Sequence, residues 1–429
     1  MSKAPYTIIG NSAAAVGAVA GIREVDPDGP ITLIAKEPHH TYSRPLISYL
    51  LGGKVDESRM PYRPPDFYEK NNVRAMLGVE VTRIDADKRC IETADGTSIE
   101  YDRLLIAVGG TPIVPLDVTG TDAEGVFTFT TWDDARHIQR YIETHEVTRT
   151  VVIGGGLIGL KSVEALVELG ITTTVVELAD RILSVTFDQT ASDLARRSLE
   201  KAGVGVRCGT TVERIRQQGG KVSGVVLRDG TELACSMVIF AVGVVPNTRI
   251  VNGEAIETDR GILVDDCQRT SVDGIYAAGD VAQAADMLSG QKRPIPIFPN
   301  AYRQGLVAGN HMAGGNRRYE GGLAMNAVDI CGLKTISVGV TVADDDGYEA
   351  LTSLDEDTAV YKKIVLKGDR IVGAIFVGQI DRAGIITGLI KNAVSVSGFK
   401  DLLLTEHFGL ISLPSEYRKH VVSGTGIEI

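Results

Sequence analysis

"TVVIGGGLIGLKSVEALVELG" (Thr150–Gly170) governs how the rest of the chain reads. A run of β-branched residues ends in three glycines, and a helix-like stretch of small and aliphatic residues follows. The same order appears near the start, in "YTIIGNSAAAVGAVAGI" (Tyr6–Ile22). Each unit leads to a second strand-like run that closes near an acid: "ITLIAKE" at Glu37 and "TTTVVE" at Glu177. Farther on, residues 78–110 parallel residues 209–243. Each stretch folds about an Asp-Gly turn (Asp95-Gly96, Asp229-Gly230) and closes with a buried strand and a glycine, Gly109 or Gly243.

Strand, glycine turn, helix, strand and acid is the plan of a dinucleotide site. Small residues let the backbone approach a pyrophosphate, and the helix that follows aims its N-terminus at the phosphate charge. Gly154, Gly156 and Gly159 fill all three glycine places of the second unit, with Leu157 and Ile158 opening its helix. In the first unit Gly10 is kept, while Ser12 and Ala15 take the other places, with Ala13 beside them. The Ser12 hydroxyl can donate to a phosphate oxygen. The alternative is a tight strand–helix turn with no ligand. At Glu177 a carboxylate accepts from ribose hydroxyls and repels a 2′-phosphate, which favours NADH over NADPH; Arg181 nearby pulls the other way. Counting from the strand, the first acid falls at Ala35, so Glu37 reads either as the ribose acceptor or as a solvated loop acid.

The chain has 429 residues, which suggests two to four domains at about 150 residues each. Hydrophobic residues make up 44%, enough for full cores. A net charge of −11 argues against nucleic acid or an anionic membrane surface as partner. Five cysteines (Cys90, Cys208, Cys235, Cys267, Cys331) are scattered with no C-x-x-C, and the histidines show no ligand spacing. A disulfide scaffold and a metal site are therefore not expected, and a reducing cytoplasm is. The N-terminal apolar run resembles a signal peptide but breaks at Gly10-Asn11-Ser12. No stretch approaches the ~20 apolar residues of a membrane span.

"TSVDGIYAAGDVAQ" (Thr270–Gln283), "LLIAVGGTP" (Leu104–Pro112) and "VIFAVGVVPNT" (Val238–Thr248) complete the pattern. With both glycine turns they resemble the pyridine nucleotide–disulfide oxidoreductase family, on the branch of NADH–rubredoxin reductases and nitrite-reductase-like NADH oxidoreductases. The resemblance implies an α/β fold: two Rossmann-like dinucleotide-binding domains, three-layered and glutathione-reductase-like, plus a smaller α+β C-terminal domain. The FAD domain would take residues 1–115 and 244–315, the NADH domain 116–243, and a C-terminal interface domain, which supports a homodimer in relatives, 316–429. Asp280 of the A-x-G-D run would hold the ribityl chain of FAD. Further cofactor contacts are implied at Val81, Ala107, Gly109 and Gly243, and at Ile297 and Phe298 in "RPIPIFPNAYRQGLVAGNHMAGG" (Arg293–Gly315), where core packing is the plain alternative.

Thiol-using relatives place a redox cysteine in the segment after the second FAD strand. Here that segment is "YSRPLISYLL" (Tyr42–Leu51), with Pro45 where the thiol would be. Arg44 can carry positive charge beside the flavin or form a surface ion pair. Lys161 stands where many relatives carry glutamate; it reads either as functional or as a solvent-facing lysine. The implied activity is NADH-to-FAD electron transfer to an external acceptor without a protein thiol, the acceptor being a one-electron carrier such as rubredoxin or ferredoxin. The alternatives are an NADH oxidase, a quinone reductase and, from another class, an NADH-responsive redox sensor. Lys54, Arg59 and Arg63 are candidates for docking a carrier.

Overall fold

The computed structural model describes residues 4–342 and 346–415. They form two compact units, Met1–Val176 with Thr210–Leu323, and Glu177–Gly209 with Ala324–Ile429.

In the first unit, β1 (Ala4–Ile9) runs into α1 (Ala13–Arg23) and on to β2 (Ile31–Ala35). A short helix α2 (Ile47–Leu51) precedes β3 (Val73–Leu77), β4 (Val81–Asp85), β5 (Cys90–Thr93) and β6 (Ser98–Ile106). The sheet order is β3-β2-β1-β6-β5-β4. Strands β3, β2, β1 and β6 are parallel, with Ile8 opposite both Leu33 and Leu105, and all three side chains are fully buried. Continuous apolar runs are what a parallel sheet covered on both faces requires. The strand Ile275–Ala277 joins β6 in parallel, while β4 and β5 form an antiparallel extension around Asp95-Gly96.

The second sheet repeats the first. Strand β7 (Val126–Thr128), helix α3 (Trp132–Thr144), β8 (Arg149–Ile153), α4 (Leu157–Glu168) and β9 (Thr172–Val176) follow in turn. The antiparallel strands β10 (Val212–Gln218), β11 (Lys221–Leu227) and β12 (Glu232–Leu233) lead to β13 (Met237–Phe240). Within this unit the parallel order is β9-β8-β13-β7. Thr131 and Asp134 close a capping box on α3, which satisfies the helix's first amides. The chain leaves and re-enters the first repeat through two short antiparallel strands, Gly110–Pro112 and Val244–Pro246.

A last long helix, α5 (Phe298–Met312), lies against α1. Four glycines make the approach possible. A Cβ on Gly17 or Gly21 would strike the carbonyls of Tyr302 and Leu306, and one on Gly305 or Gly309 those of Ala14 and Ala18. Small residues spaced by four let two helix backbones touch.

In the second unit five antiparallel strands run Met325–Ile330, Leu333–Gly339, Arg370–Val377, Val360–Lys367, Glu349–Asp355 in spatial order. The hairpin turns at Gly368-Asp369, where Lys367 faces Arg370. Asp188 caps the helix Gln189–Lys201 by accepting from the Ala191 amide at 3.1 Å, and also accepts from Tyr361 Oη at 2.7 Å and Lys363 Nζ at 2.9 Å. Those bonds tie this helix to the sheet. No helix among the described residues is long and apolar enough to cross a membrane.

Replacing Gly305 by valine will force α1 and α5 apart. Overpacking costs about 1–3 kcal/mol where neighbours can move, and here the neighbours are backbone, so a loss of at least that size is expected in urea unfolding, with α1 more open to hydrogen exchange. Unchanged stability would show that the helices separate freely.

Candidate functional site

The first glycine turn joins β1 to α1. Gly10 has φ +119°, and a Cβ there would collide with the Ala107 carbonyl, so only glycine lets β1 and β6 end side by side at this turn. Its amide donates to Ile34 O at 2.8 Å, and the Ala107 amide donates to Ile9 O at 2.8 Å. Ser12 caps α1 in position only, since its side chain makes no capping bond, and the first turn holds no acid. Ala13 and Ala15 are buried. The helix therefore begins with unclaimed amides and an uncompensated positive end, which suits an anion.

Asn11, within the turn, was not singled out from the sequence. Its amide group donates to His39 O at 3.0 Å, and its oxygen accepts from Tyr68 Oη at 2.9 Å. Tyr68 Oη in turn accepts from the Thr41 amide at 3.0 Å. These bonds join residues 28 and 57 positions apart, beyond the reach of any local pattern. Nearby, Thr41 Oγ1 and His40 Nε2 are buried without a partner among the described residues.

Glu37 is half-buried and paired. One carboxylate oxygen accepts from Tyr42 Oη at 2.6 Å and the other from the Arg44 guanidinium. Arg44 also donates to Thr130 O at 2.9 Å. Tyr42 Oη accepts from the Trp132 amide at 3.1 Å, so the start of α3 is fastened to the same loop. Burial works against the charge on Arg44, but Tyr42, Glu37 and Asp280 outweigh it and hold the guanidinium above its ordinary range. Burial pushes the Asp280 carboxyl up, and Arg44 opposes that shift. Pro45 lies in a single 3₁₀ turn, Arg44–Leu46, directly before α2.

Asp280 follows Gly279, whose amide donates to Gln304 Oε1 of α5 at 2.7 Å. A Cβ on Gly279 would press on Ala14 and Ala301, so the A-x-G-D turn lies where α1 and α5 begin. Ile297 and half-buried Phe298 open α5, and the Phe298 ring meets Tyr62 edge-on at 5.0 Å. Val81 is half-buried at the start of β4 opposite Thr93. Gly109 has φ +68° with open space over its α-carbon. The structure thus gathers Gly10, Ser12, Glu37, Arg44, Ala107 and Asp280 around one strand end, with Val81 placed out on the antiparallel extension.

The second turn is more open. Gly154 has φ +110°, and a Cβ on it or on Gly159 would meet backbone carbonyls, whereas one on Gly156, the N-cap of α4, would meet nothing. Leu157 and Ile158 are half-buried, and again no acid occupies the first turn. Gly243, at φ +113°, accepts from the Ile113 amide. Lys161 is bonded to Glu164 and lies 4.9 Å over the Tyr49 ring. In the second unit, the Glu177 carboxylate accepts from the Ala179 amide at 2.8 Å. Arg181 is turned into its own loop, donating to Asp180 at 3.0 Å and to the Phe187 and Ser184 carbonyls.

Asp265, Asp266 and Cys267 come close enough together to resemble a metal cluster, but Asp265 pairs with Arg269 and Asp266 with Arg318. The residues of the two glycine turns fit two dinucleotides: unclaimed helix amides for each pyrophosphate, and in the first site polar side chains for the rest of the molecule.

Residues 4–305 match the family described as pyridine nucleotide-disulphide oxidoreductase, and residues 325–394 match the rubredoxin NAD+ reductase C-terminal domain. The chain is 34% identical over 388 residues to the epsilon subunit of NADH-dependent phenylglyoxylate dehydrogenase from Aromatoleum evansii, covering 90% of this chain and 91% of that one. It is 28% identical over 385 residues to rubredoxin-NAD(+) reductase from Pseudomonas putida, covering 90% and 98%. The solved structure of a covalent putidaredoxin reductase–putidaredoxin complex is similar with a TM-score of 0.83 at 26% identity, over 91% of this chain and 93% of that one. With two glycine turns, an A-x-G-D turn and a match of this extent, the chain belongs to the pyridine nucleotide-disulphide oxidoreductase family, as an NAD(P)H-dependent flavoprotein oxidoreductase whose cofactors are FAD and NADH.

Proposed function

We propose that this protein accepts reducing equivalents from NADH and passes electrons through FAD to a small one-electron carrier protein. FAD, when bound, supplies the link between a two-electron donor and a one-electron acceptor. The chain's own residues hold, orient and charge the surroundings. The observation that carries this reading is the segment Tyr42–Leu51, in which Tyr42 and Arg44 both bond Glu37 and which offers no thiol. Electrons then have no protein disulfide to enter, and the acceptor must come from outside.

In this reading residues 1–115 and 244–315 hold FAD through the Gly10 turn, Glu37, Arg44 and Asp280. Residues 116–243 hold NADH through Gly154–Gly159, with Glu177 on the ribose. Residues 316–429 form an interface domain for a homodimer, and the protein works in a reducing cytoplasm. The carrier docks near the start of α5. There Arg63 lies over the Tyr62 ring at 4.3 Å and near Tyr302 at 5.9 Å, with exposed Arg59 close in sequence. Lys54, by contrast, spends its charge on Glu164 and Glu168. A local positive patch on a chain of net charge −11 would steer an acidic carrier to one face.

The deciding experiment compares rubredoxin, ferredoxin, a quinone and dioxygen as acceptors in steady-state NADH oxidation. A protein carrier should win by kcat/KM, its rate should fall with salt as screening shortens the reach of charge to about 8 Å, and Arg63→Glu should lower it by roughly tenfold. A win for dioxygen or the quinone would replace this reading with an oxidase or a quinone reductase.

Asp280→Ala should weaken FAD binding by roughly ten- to a hundredfold, the worth of about 1.5–3 kcal/mol for a hydrogen bond to a charged group. Flavin fluorescence after ultrafiltration reads this directly, and full retention would remove Asp280 from the site. Because Glu177 would repel a 2′-phosphate, Glu177→Ala should narrow the gap in kcat/KM between NADH and NADPH. Equal values for the two nucleotides in the parent protein would take that role away from Glu177.

A further inference from the structure

The loop from Glu177 to Phe187 carries the acid that ends the second repeat's strands, and it contains neither strand nor helix. It is tied at its start, its middle and its end. At the start the Glu177 amide donates to Arg207 O at 2.7 Å, the Gly209 amide donates to Ala179 O at 2.8 Å, and one Glu177 oxygen accepts from the Ala179 amide. In the middle Ile182 O accepts from Ser192 Oγ at 2.8 Å. At the end stands Asp188, which accepts from Tyr361 Oη and Lys363 Nζ. The start and the middle are tied to residues of the same repeat. The end is tied to the C-terminal sheet, 173 and 175 positions along the chain.

The two oxygens of Asp188 have separate tasks. Oδ1 accepts from the Ala191 amide and completes the cap of the helix Gln189–Lys201. A cap needs no more than that. Oδ2 takes both Tyr361 Oη, at 2.7 Å, and Lys363 Nζ, at 2.9 Å. Tyr361 and Lys363 are two residues apart on one strand, so they project from the same face. That strand is paired on both sides, to Arg370–Val377 and to Glu349–Asp355, which makes it a firm base. Lys363 is only 12% exposed and Asp188 18%. Burial, with the bond to Asp188, holds the Tyr361 hydroxyl protonated well above its ordinary range, so it remains a donor. Desolvation consumes most of what a buried ion pair gains, so stability alone is a weak reason for this one. A buried pair can instead select a single arrangement, and here the arrangement selected is that of the loop's end. The need is specific. A carboxylate that receives ribose hydroxyls must be held to within about 0.5 Å of its working position.

We propose that Tyr361 and Lys363 are positioning residues for the nucleotide: by holding Asp188 they fix the loop Leu178–Phe187 and so aim the Glu177 carboxylate at the adenosine ribose. The C-terminal sheet then sets nucleotide affinity without touching the nucleotide. The inference rests on the reading of Glu177 as the ribose acceptor. It does not depend on which acceptor takes the electrons.

The test is calorimetric binding of ADP-ribose to the purified holoprotein, since this probe has the ribose but no nicotinamide to reduce the flavin. Lys363→Met and Tyr361→Phe both leave the Oδ1 cap in place. Each should raise the Kd for ADP-ribose roughly fivefold, within the range that coupled neighbours show. The decisive arm repeats both substitutions in a Glu177→Ala background. If they act by aiming Glu177, they should add no further loss there. A Kd unchanged in Lys363→Met and Tyr361→Phe, with only the melting temperature lowered, would make the tie a structural clamp and overturn the proposal. Losses that add in full to that of Glu177→Ala would overturn it too, because a general loosening of the unit does not act through one carboxylate. Should Lys363→Met fail to fold, Tyr361→Phe removes a single oxygen and decides alone. In those outcomes Glu177→Ala by itself still weakens ADP-ribose and the ribose reading stands. No effect of Glu177→Ala by itself would strike that reading, and this proposal with it.

Discussion

The contact of backbone on backbone between α1 and α5 is the constraint on which the FAD half depends. Gly17 and Gly21 face carbonyls of α5, and Gly305 and Gly309 face carbonyls of α1. That contact brings two helix N-termini to the end of one sheet. It also creates the seat for the A-x-G-D turn, wedged between Ala14 and Ala301 with its Gly279 amide satisfied by Gln304. An unsatisfied buried amide would cost about 1–3 kcal/mol. The position of Asp280 is therefore set by helix packing, and a bulky residue a turn away on either helix would reach it.

The loop after β2 is built on charge and carries no thiol. Tyr42, Glu37, Arg44 and Asp280 form one chain of interactions, with Arg44 held charged against its own burial. The cysteines stand apart from it. Cys90, Cys235 and Cys267 are buried, and burial pushes the Cys235 thiol up to about 12 and raises Cys208 and Cys267 as well. A raised thiol keeps its proton, and the thiolate is the reactive form. The segment Tyr42–Leu51 is thus free of cysteine, and burial favours the protonated thiol at Cys208, Cys235 and Cys267.

The two glycine turns and the Asp-Gly hairpins were legible in the sequence because each is a local backbone requirement with a short-range signature, whereas the A-x-G-D run was legible only through its resemblance to the family. Gly10 and Gly154 need positive φ and a missing Cβ, and a single chain reveals both. The α1–α5 contact left a weaker sign, two pairs of glycines spaced by four in helical stretches, which becomes meaningful only once the helices are known to meet. The Asn11–Tyr68–Thr41 bonds and the Tyr42–Trp132 bond left none, since hydrogen bonds between distant positions have no period. The ion pairs of Lys54 were hidden for the same reason: its partners Glu164 and Glu168 lie more than a hundred positions away. Asp188 was equally hidden, a helix cap that also receives Tyr361 and Lys363.

The two repeats differ where their ligands differ in tenure. In the first, the residue after the leading glycine is Asn11, whose side chain binds His39 and Tyr68 and so fastens the turn to the loop that follows β2. The same loop holds Glu37, Tyr42 and Arg44 bonded to one another. In the second repeat glycine stands at the equivalent place, with no side chain for such a tie, and the space over Gly156 is open. Ordering a segment in advance lowers the entropy cost of binding and slows release. A turn tied by its own side chain to the loop that follows suits a group that stays through many turnovers, and an untied one suits a nucleotide that must leave after each.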